Sequence, residues 1–171
     1  GGTVTIQDYA PMWADMRAKF SIDGSQVHLS RIDLDTDGAT TVASGDVQLG
    51  RLWPEQTYDF KSAVQIPRMR EIFFADQDWT LTGAADVTGR FHLIKGGGHD
   101  LSGTFKSDLF GWNRYSFPNL YGSMQWTEKL FEVKNAGAKF FGGDATFGYS
   151  IKPLGQPGRP DARFEAQNWT A

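Results

Sequence analysis

The segment KLFEVKNAGAKFFGGDATFGYSI, Lys129 to Ile151, decides how the rest of the chain is read. Phe131 and Val133 alternate with polar neighbours, Ala136, Ala138 and Phe140 continue, and Gly143, Ala145, Phe147, Tyr149 and Ile151 form a second alternating row. A period of two places every apolar side chain of a strand on one face of a sheet, so these are two strands. Gly142 and Gly143 fall where the parity shifts, as at a bulge or tight turn.

The same alternation extends in both directions from this segment. Thr3 to Asp8 reads as a short strand that Tyr9, Ala10 and Pro11 break. Met12, Ala14, Met16, Ala18, Phe20 and Ile22 then alternate with Trp13, Asp15, Arg17, Lys19 and Ser21, two sets that a helix would scatter around its circumference. Asp23 and Gly24 turn the chain. Val27 and Leu29 share one parity and Ile32 and Leu34 the other, which predicts a bulge near Ser30 and Arg31. Asp37 and Gly38 signal a hairpin, after which Ala43, Gly45, Val47 and Leu49 bring the chain back and Tyr58, Phe60, Ser62, Val64 and Ile66 form the next row.

Pro67 to Phe74 departs from this pattern. A proline suits the first turn of a helix, and Met69, Ile72 and Phe73 fall at i, i+3 and i+4, so a short amphipathic helix is expected. Its role is either a cap laid over an open end of the sheet or a mobile lid over a groove. The row from Leu81 to Leu93 follows, long enough at about 3.3 Å per residue to span on the order of 40 Å unless it bends or breaks at a glycine. Gly96 to Gly98 turn the chain into Leu101, Gly103, Phe105 and Ser107. Trp112 to Pro118 reads as loop, Leu120 to Trp126 as strand, residues 153–160 as a proline- and glycine-rich connection, and Ala162 to Ala166 as a last short strand.

Composition bounds the class. With 171 residues, 40% hydrophobic and 22% charged, the chain suffices for one β-rich domain with a real core. Its net charge of -3, with the basic residues scattered, lacks the electrostatic footprint of a nucleic-acid binder. The absence of cysteine excludes a disulfide scaffold, a thiolate metal site and a cysteine nucleophile. No apolar run approaches the roughly 18 residues of a membrane helix. The chain opens on Gly1 and Gly2 and reads as a piece cut from something longer.

Chemistry-bearing motifs are few. Asp33, Asp35 and Asp37 followed by Gly38 copy the first half of a calcium-binding EF-hand loop, but Ser44 stands where the closing glutamate is needed, so these read as outward-facing carboxylates ending in a turn and no metal is expected. His28, His92 and His99 have no partner at ligand spacing and read as surface histidines. Ser107, Asp108 and His99 lack a nucleophile elbow, so a hydrolase triad is not expected and the chain reads as a non-enzyme without cofactor. Trp13, Trp53, Trp79, Trp112 and Trp169 are the candidates for exposed aromatic platforms, as a sugar-binding sandwich would need.

A recurrent unit runs through the rows: an apolar residue, any residue, glycine, any residue, then apolar positions in alternation. It appears as ASGDVQL (Ala43 to Leu49), LTGAADV (Leu81 to Val87), LSGTF (Leu101 to Phe105) and LYGSMQW (Leu120 to Trp126). These glycines either curl the sheet and receive a large aromatic or line a concave apolar trough. The rows, together with FEVKN (Phe131 to Asn135), AKFF (Ala138 to Phe141), GGDATF (Gly142 to Phe147), IDLDTDGA (Ile32 to Ala39) and PRMREIFF (Pro67 to Phe74), resemble the large bacterial AsmA-like and TamB-like envelope proteins.

That resemblance implies an all-β chain, a long curled antiparallel sheet or β-groove (a partly open barrel or sandwich) of about ten strands with one short helix. The implied setting is a membrane-anchored periplasmic parent protein that moves phospholipid or serves outer-membrane assembly. Its implied partners are phospholipid acyl chains, neighbouring β-repeats of the parent chain and membrane proteins at the inner or outer membrane, with no nucleic acid. The groove residues are then Val47, Leu49, Phe60, Leu81, Val87, Phe91, Leu93, Phe105, Met124, Trp126, Phe147 and Tyr149, with Met69, Ile72 and Phe73 as lid or cap. The alternatives are a secreted ligand-binding β-sandwich, with carbohydrate as a candidate ligand, and a small eight-stranded outer-membrane barrel with an apolar exterior.

Overall fold

The computed structural model describes residues 1–4, 11–50, 55–73, 78–152 and 161–170, with side chains in all of these except Val4, Phe73, Ile151 and residues 161–170. Eleven strands form one sheet in strict chain order. They are β1 (Gly2–Val4), β2 (Met12–Asp23), β3 (Gln26–Thr36), β4 (Ala39–Gln48), β5 (Glu55–Gln65), β6 (Leu81–Leu93), β7 (His99–Trp112), β8 (Tyr115–Thr127), β9 (Phe131–Phe140), β10 (Gly143–Lys152) and β11 (Asp161–Thr170), with the helix α1 (Ile66–Phe73) between β5 and β6. Each strand pairs antiparallel with its sequence neighbours, and the sheet is not closed into a barrel, so β1 and β11 are its edges. The expected all-β antiparallel sheet with one helix is what forms, and neither a barrel nor a two-sheet sandwich is present among the described residues.

Turn chemistry sets most of the reversals. Phe141 and Gly142, both at positive φ (48° and 83°), make a two-residue hairpin turn between β9 and β10, so the parity shift at Gly142 is a turn whose twist matches the flanking strands. The bulge expected near Ser30 and Arg31 is present: the β3 register shifts between Leu29 and Ile32 against β4. β6 runs unbroken from Leu81 to Leu93, absorbing its length with an irregularity between Gly83 and Asp86, where Gly83 has φ 105°.

Three expectations are corrected. The segment read as loop, Trp112 to Pro118, is mostly strand, because Asn113 at φ 52° permits a tight reversal between Trp112 and Tyr115. The last strand is longer than Ala162 to Ala166 and runs from Asp161 to Thr170. The helix starts one residue earlier, at Ile66. The break at Tyr9 and Ala10, Phe74, Trp53 and the connection at residues 153–160 lie outside the described residues.

Following the register across the strands gives continuous lines. Phe20, Leu29, Gly45, Tyr58, Phe91, Leu101, Trp126 and Phe131 form one. Ala18, Ile32, Ala43, Phe60, Gly89, Gly103, Met124, Val133 and Tyr149 form the next, roughly 40 Å long at about 4.8 Å per strand. A line of the opposite face reads Arg17, Asp33, Val42, Lys61, Thr88, Thr104, Ser123 and Lys134. The sheet therefore has one apolar and one polar face.

Only Ile32, Ile72, Ala136 and Ala138 are buried apolar side chains among the described residues, and no large side chain is fully enclosed. A domain ordinarily buries its apolar sheet face against a second layer. Here the face is half-covered by its own side chains, and α1 is the one helix laid on the sheet. That helix rests against β6 and β5 and against the β3–β4 turn, where a Cβ on Gly38 would collide with the Met69 side chain. Arg68 reaches Asp37 at 3.4 Å, and the Gln65 N–H donates to the Gly38 carbonyl at 2.7 Å. Ile72 is 3% exposed, so α1 is packed closely against that end of the sheet.

Candidate functional site

Nine of the twelve proposed groove residues stand on the apolar face of β4 to β8, and Phe147 and Tyr149 extend it onto β10. Leu49 is the partial exception: it follows the end of β4 and, at 47% exposed, belongs to the rim. The remaining eleven are half-buried. They fall into two groups along the strands, one around Phe91, Leu93 and Trp126 at the end far from α1, the other around Phe60, Val87 and Phe105 in the middle.

The glycines shape this face. A Cβ on Gly45 would collide with the Thr57 carbonyl oxygen and one on Gly89 with that of Ser102, so at both positions the neighbouring strand leans over the apolar side. Gly89 and Gly103 stand directly opposite each other in register. That creases the sheet toward its apolar face, the curling reading of the glycine repeat. At Gly122 the other half of that reading applies: the ring of Phe105, its register partner on β7, covers the space a side chain would take.

At the α1 end lies an aromatic cluster that parity counting missed. Phe117 stacks on Phe140 with ring centroids 5.0 Å apart, Phe110 lies 5.8 Å from Phe117, and Tyr115 lies 6.2 Å from Phe140. Phe110 stands opposite Gly83 of the apolar face, so these rings extend that face to the end of the sheet. The register against β6 slips by one residue between Gly83 and Asp86, and Asn119 takes φ 55° in β8, which together bring the rings to this side. The proline and asparagine near these rings, Pro118 and Asn119, were the signal, but they read as loop.

Poor hydration of the face is visible in its phenols. Burial pushes the pKa of Tyr58 and of Tyr149 above the ordinary tyrosine value, with no charged neighbour contributing. Tyr58 donates to the Gln56 Oε1 at 2.6 Å. His99, read from the sequence as a surface histidine, stands instead opposite Leu93 with its ring edge-on to Trp126 at 4.9 Å, and its Nε2 has no hydrogen-bond partner. His28 and His92 do lie on the polar face, 2.9 Å from Asp46 and 2.9 Å from Glu55.

The polar face holds a shallow depression of about 780 Å³ lined by Arg31, Ser44, Asp59, Lys61, Thr88 and Arg90, among others. Its main charges are matched: Arg90 pairs with Asp59 at 2.8 Å and Arg31 with Asp33 at 2.6 Å, and each guanidinium holds its carboxyl below the usual aspartate range. His99 and Ser107 do not meet, since they lie on one strand about 26 Å apart at ~3.3 Å per residue, and the buried Ser107 hydroxyl donates to the Ala84 carbonyl at 2.6 Å. Trp79 lies under Arg70, Trp13 and Trp112 are exposed, and the side chain of Trp169 lies outside the description.

The aspartates of the EF-hand-like segment are engaged elsewhere. Asp33 is gripped by Arg31, Asp35 accepts from Thr40 at 3.3 Å, and Asp37 accepts the Trp13 N–H at 2.8 Å. Adding millimolar calcium is therefore expected to leave the melting temperature within about 1 °C, because a ligand bound only by the native state well above its dissociation constant raises it visibly. A calcium-dependent rise in a thermal melt would overturn this assignment of the carboxylates. Comparison with family models, with curated proteins and with solved structures finds no match for this chain.

Proposed function

We propose that the chain is a segment of an AsmA-like or TamB-like envelope protein and that its apolar face is a track for phospholipid acyl chains. The observation that supports this most is the apolar face itself, continuous from β2 to β10 and covered by no second layer among the described residues. Such a face is stable only when something apolar lies on it, and a fatty acyl chain contributes roughly 0.8 kcal/mol for each methylene it takes out of water. Binding of this kind needs no specific polar contact, so the track is promiscuous for headgroup. In this reading the chain works in the periplasm as part of a membrane-anchored parent protein, serves lipid transport or outer-membrane assembly, and catalyses no reaction. Neighbouring β-repeats and membrane proteins at the two membranes are its partners.

The test uses the protein expressed in bacteria. Organic extraction is expected to release phospholipid, and the protein is expected to accelerate transfer of a fluorescent phospholipid between vesicles. Val87 and Phe105 stand opposite each other on the apolar face, whereas Thr88 and Thr104 stand opposite each other on the polar one. The Val87→Glu and Phe105→Glu variants are expected to lose most of the bound lipid, since an unpaired carboxylate on an apolar track is costly, while Thr88→Glu keeps it. A lipid-free wild-type protein without transfer activity, or Glu variants that carry lipid as the parent does, sinks the proposal.

A further inference from the structure

The hairpin turns at the two ends of the strands differ in chemistry. At the end far from α1 the reversals use Gly24 and Ser25, Lys95 to Gly98, and Glu128 and Lys129, with Ile94 the one exposed large apolar side chain among them. At the α1 end two neighbouring hairpins end in aromatic residues instead. Trp112 and Tyr115 flank the β7–β8 turn and Phe141 stands in the β9–β10 turn; Trp112 is 46% exposed and Phe141 78%.

Turn chemistry does not account for Phe141. It holds φ 48°, the left-handed region that Gly, Asn or Asp fills in a two-residue hairpin and that strains a bulky side chain. Its ring meets Phe140 with centroids 4.4 Å apart, yet most of it lies in water, so packing within the chain offsets little of that strain. Trp112 is the register partner of Tyr115, and Tyr115 lies 6.2 Å from Phe140, so both tips rise from one aromatic cluster on one face. Beside them the Arg114 guanidinium lies over the Tyr115 ring, 5.2 Å from its centroid, and no carboxylate pairs with it among the described residues. Asp144, the acid at the neighbouring turn, is held by Lys139 at 2.7 Å.

We infer that these two hairpin tips insert into the headgroup layer of an anionic lipid bilayer, with Trp112, Tyr115 and Phe141 reaching the acyl boundary and Arg114 meeting lipid phosphate. Tryptophan and tyrosine suit that boundary because one end of each side chain is apolar and the other wet, and an unpaired guanidinium adds attraction to anionic headgroups. Size decides against a protein partner. A stable protein interface takes roughly 20–30 residues a side, far more than two narrow turns present, whereas a bilayer needs only a few inserted rings. The inference does not rest on the lipid-track reading, since it uses the turns alone.

The test is co-sedimentation of the whole chain with vesicles of equal parts phosphatidylcholine and phosphatidylglycerol, compared with vesicles of phosphatidylcholine alone. The chain is expected to partition onto the mixed vesicles, and Phe141→Asn to weaken that partition about ten-fold by removing an inserted ring. The urea midpoint of the same variant is expected to hold or rise, because asparagine tolerates positive φ, which separates lost binding from lost folding. Arg114→Glu is expected to lose the preference for the mixed vesicles. Because the chain has no cysteine, an environment-sensitive fluorophore can be attached at Ser116→Cys beside the tips or at Lys129→Cys at the opposite end, both exposed positions. Vesicles are expected to shift the emission to the blue at the first site only. No vesicle binding, binding that Phe141→Asn leaves unchanged, an equal blue shift at both sites, or self-association without vesicles that Phe141→Asn abolishes would each overturn the inference. Val87→Glu, which spoils the lipid track, is expected to keep vesicle binding; loss of binding there would assign it to the track and overturn the inference, so the two readings fail separately.

Discussion

Gly89→Val is expected to destabilise the protein by about 3 kcal/mol or more, at the upper end of what overpacking does. Its Cβ would meet the Ser102 carbonyl oxygen, and the next nearest atoms are backbone atoms of Gly103 and Ser102, so no side chain can rotate away. Relief requires moving β7 away from β6, which opens the ladder between Asp86–Leu93 and His99–Lys106, where the two strands are in register. Gly50, which has nothing within 4 Å of its Cβ position, provides the control: Gly50→Ala is expected to fall within about 0.5 kcal/mol of the parent. Urea unfolding of the two variants checks the pair. A tolerated valine at Gly89 would mean that the crease is absent in solution and that the glycine repeat has another cause.

Ile72→Ala is expected to cost about 2–4 kcal/mol, the range for a buried large-to-small change. For a chain of this size that corresponds to a melting temperature lower by roughly 4–16 °C. Ile72 is 3% exposed, and α1 is tied down at its start by the Gln65–Gly38 hydrogen bond and by the Arg68–Asp37 ion pair. A cap seated in this way transmits the lost packing to the whole sheet. A lid that opens freely would not, and a loss below about 0.5 kcal/mol together with ready proteolysis between Gln65 and Asp78 would favour the lid.

The alternation from Met12 to Ile22 and from Leu81 to Leu93 already assigns each side chain to a face, since local sterics alone impose a period of two on an extended chain. The same holds for the turns at Gly24 and at Gly96 to Gly98, which need only a residue that accepts positive φ. Most residues of the apolar face were therefore legible. Phe110 and Phe117 were not, because their face depends on an irregular register that exists only between paired strands. His99 shows the same limit: whether a histidine near a glycine turn faces water or Trp126 is set by the strand beside it.

By itself the sequence determined that this is an antiparallel β chain with one apolar and one polar face and a single short helix. It also determined that the chain carries no cysteine and so no thiol chemistry. Only the tertiary structure decided that the eleven described strands join one open sheet in chain order, that α1 packs against β5, β6 and the β3–β4 turn, and that the backbones of β6 and β7 approach closely at Gly89 and Gly103. The physical reason is that periodicity records what each strand does with its own side chains. Which edges meet, and how closely two backbones approach, depends on hydrogen bonds between residues far apart in the chain.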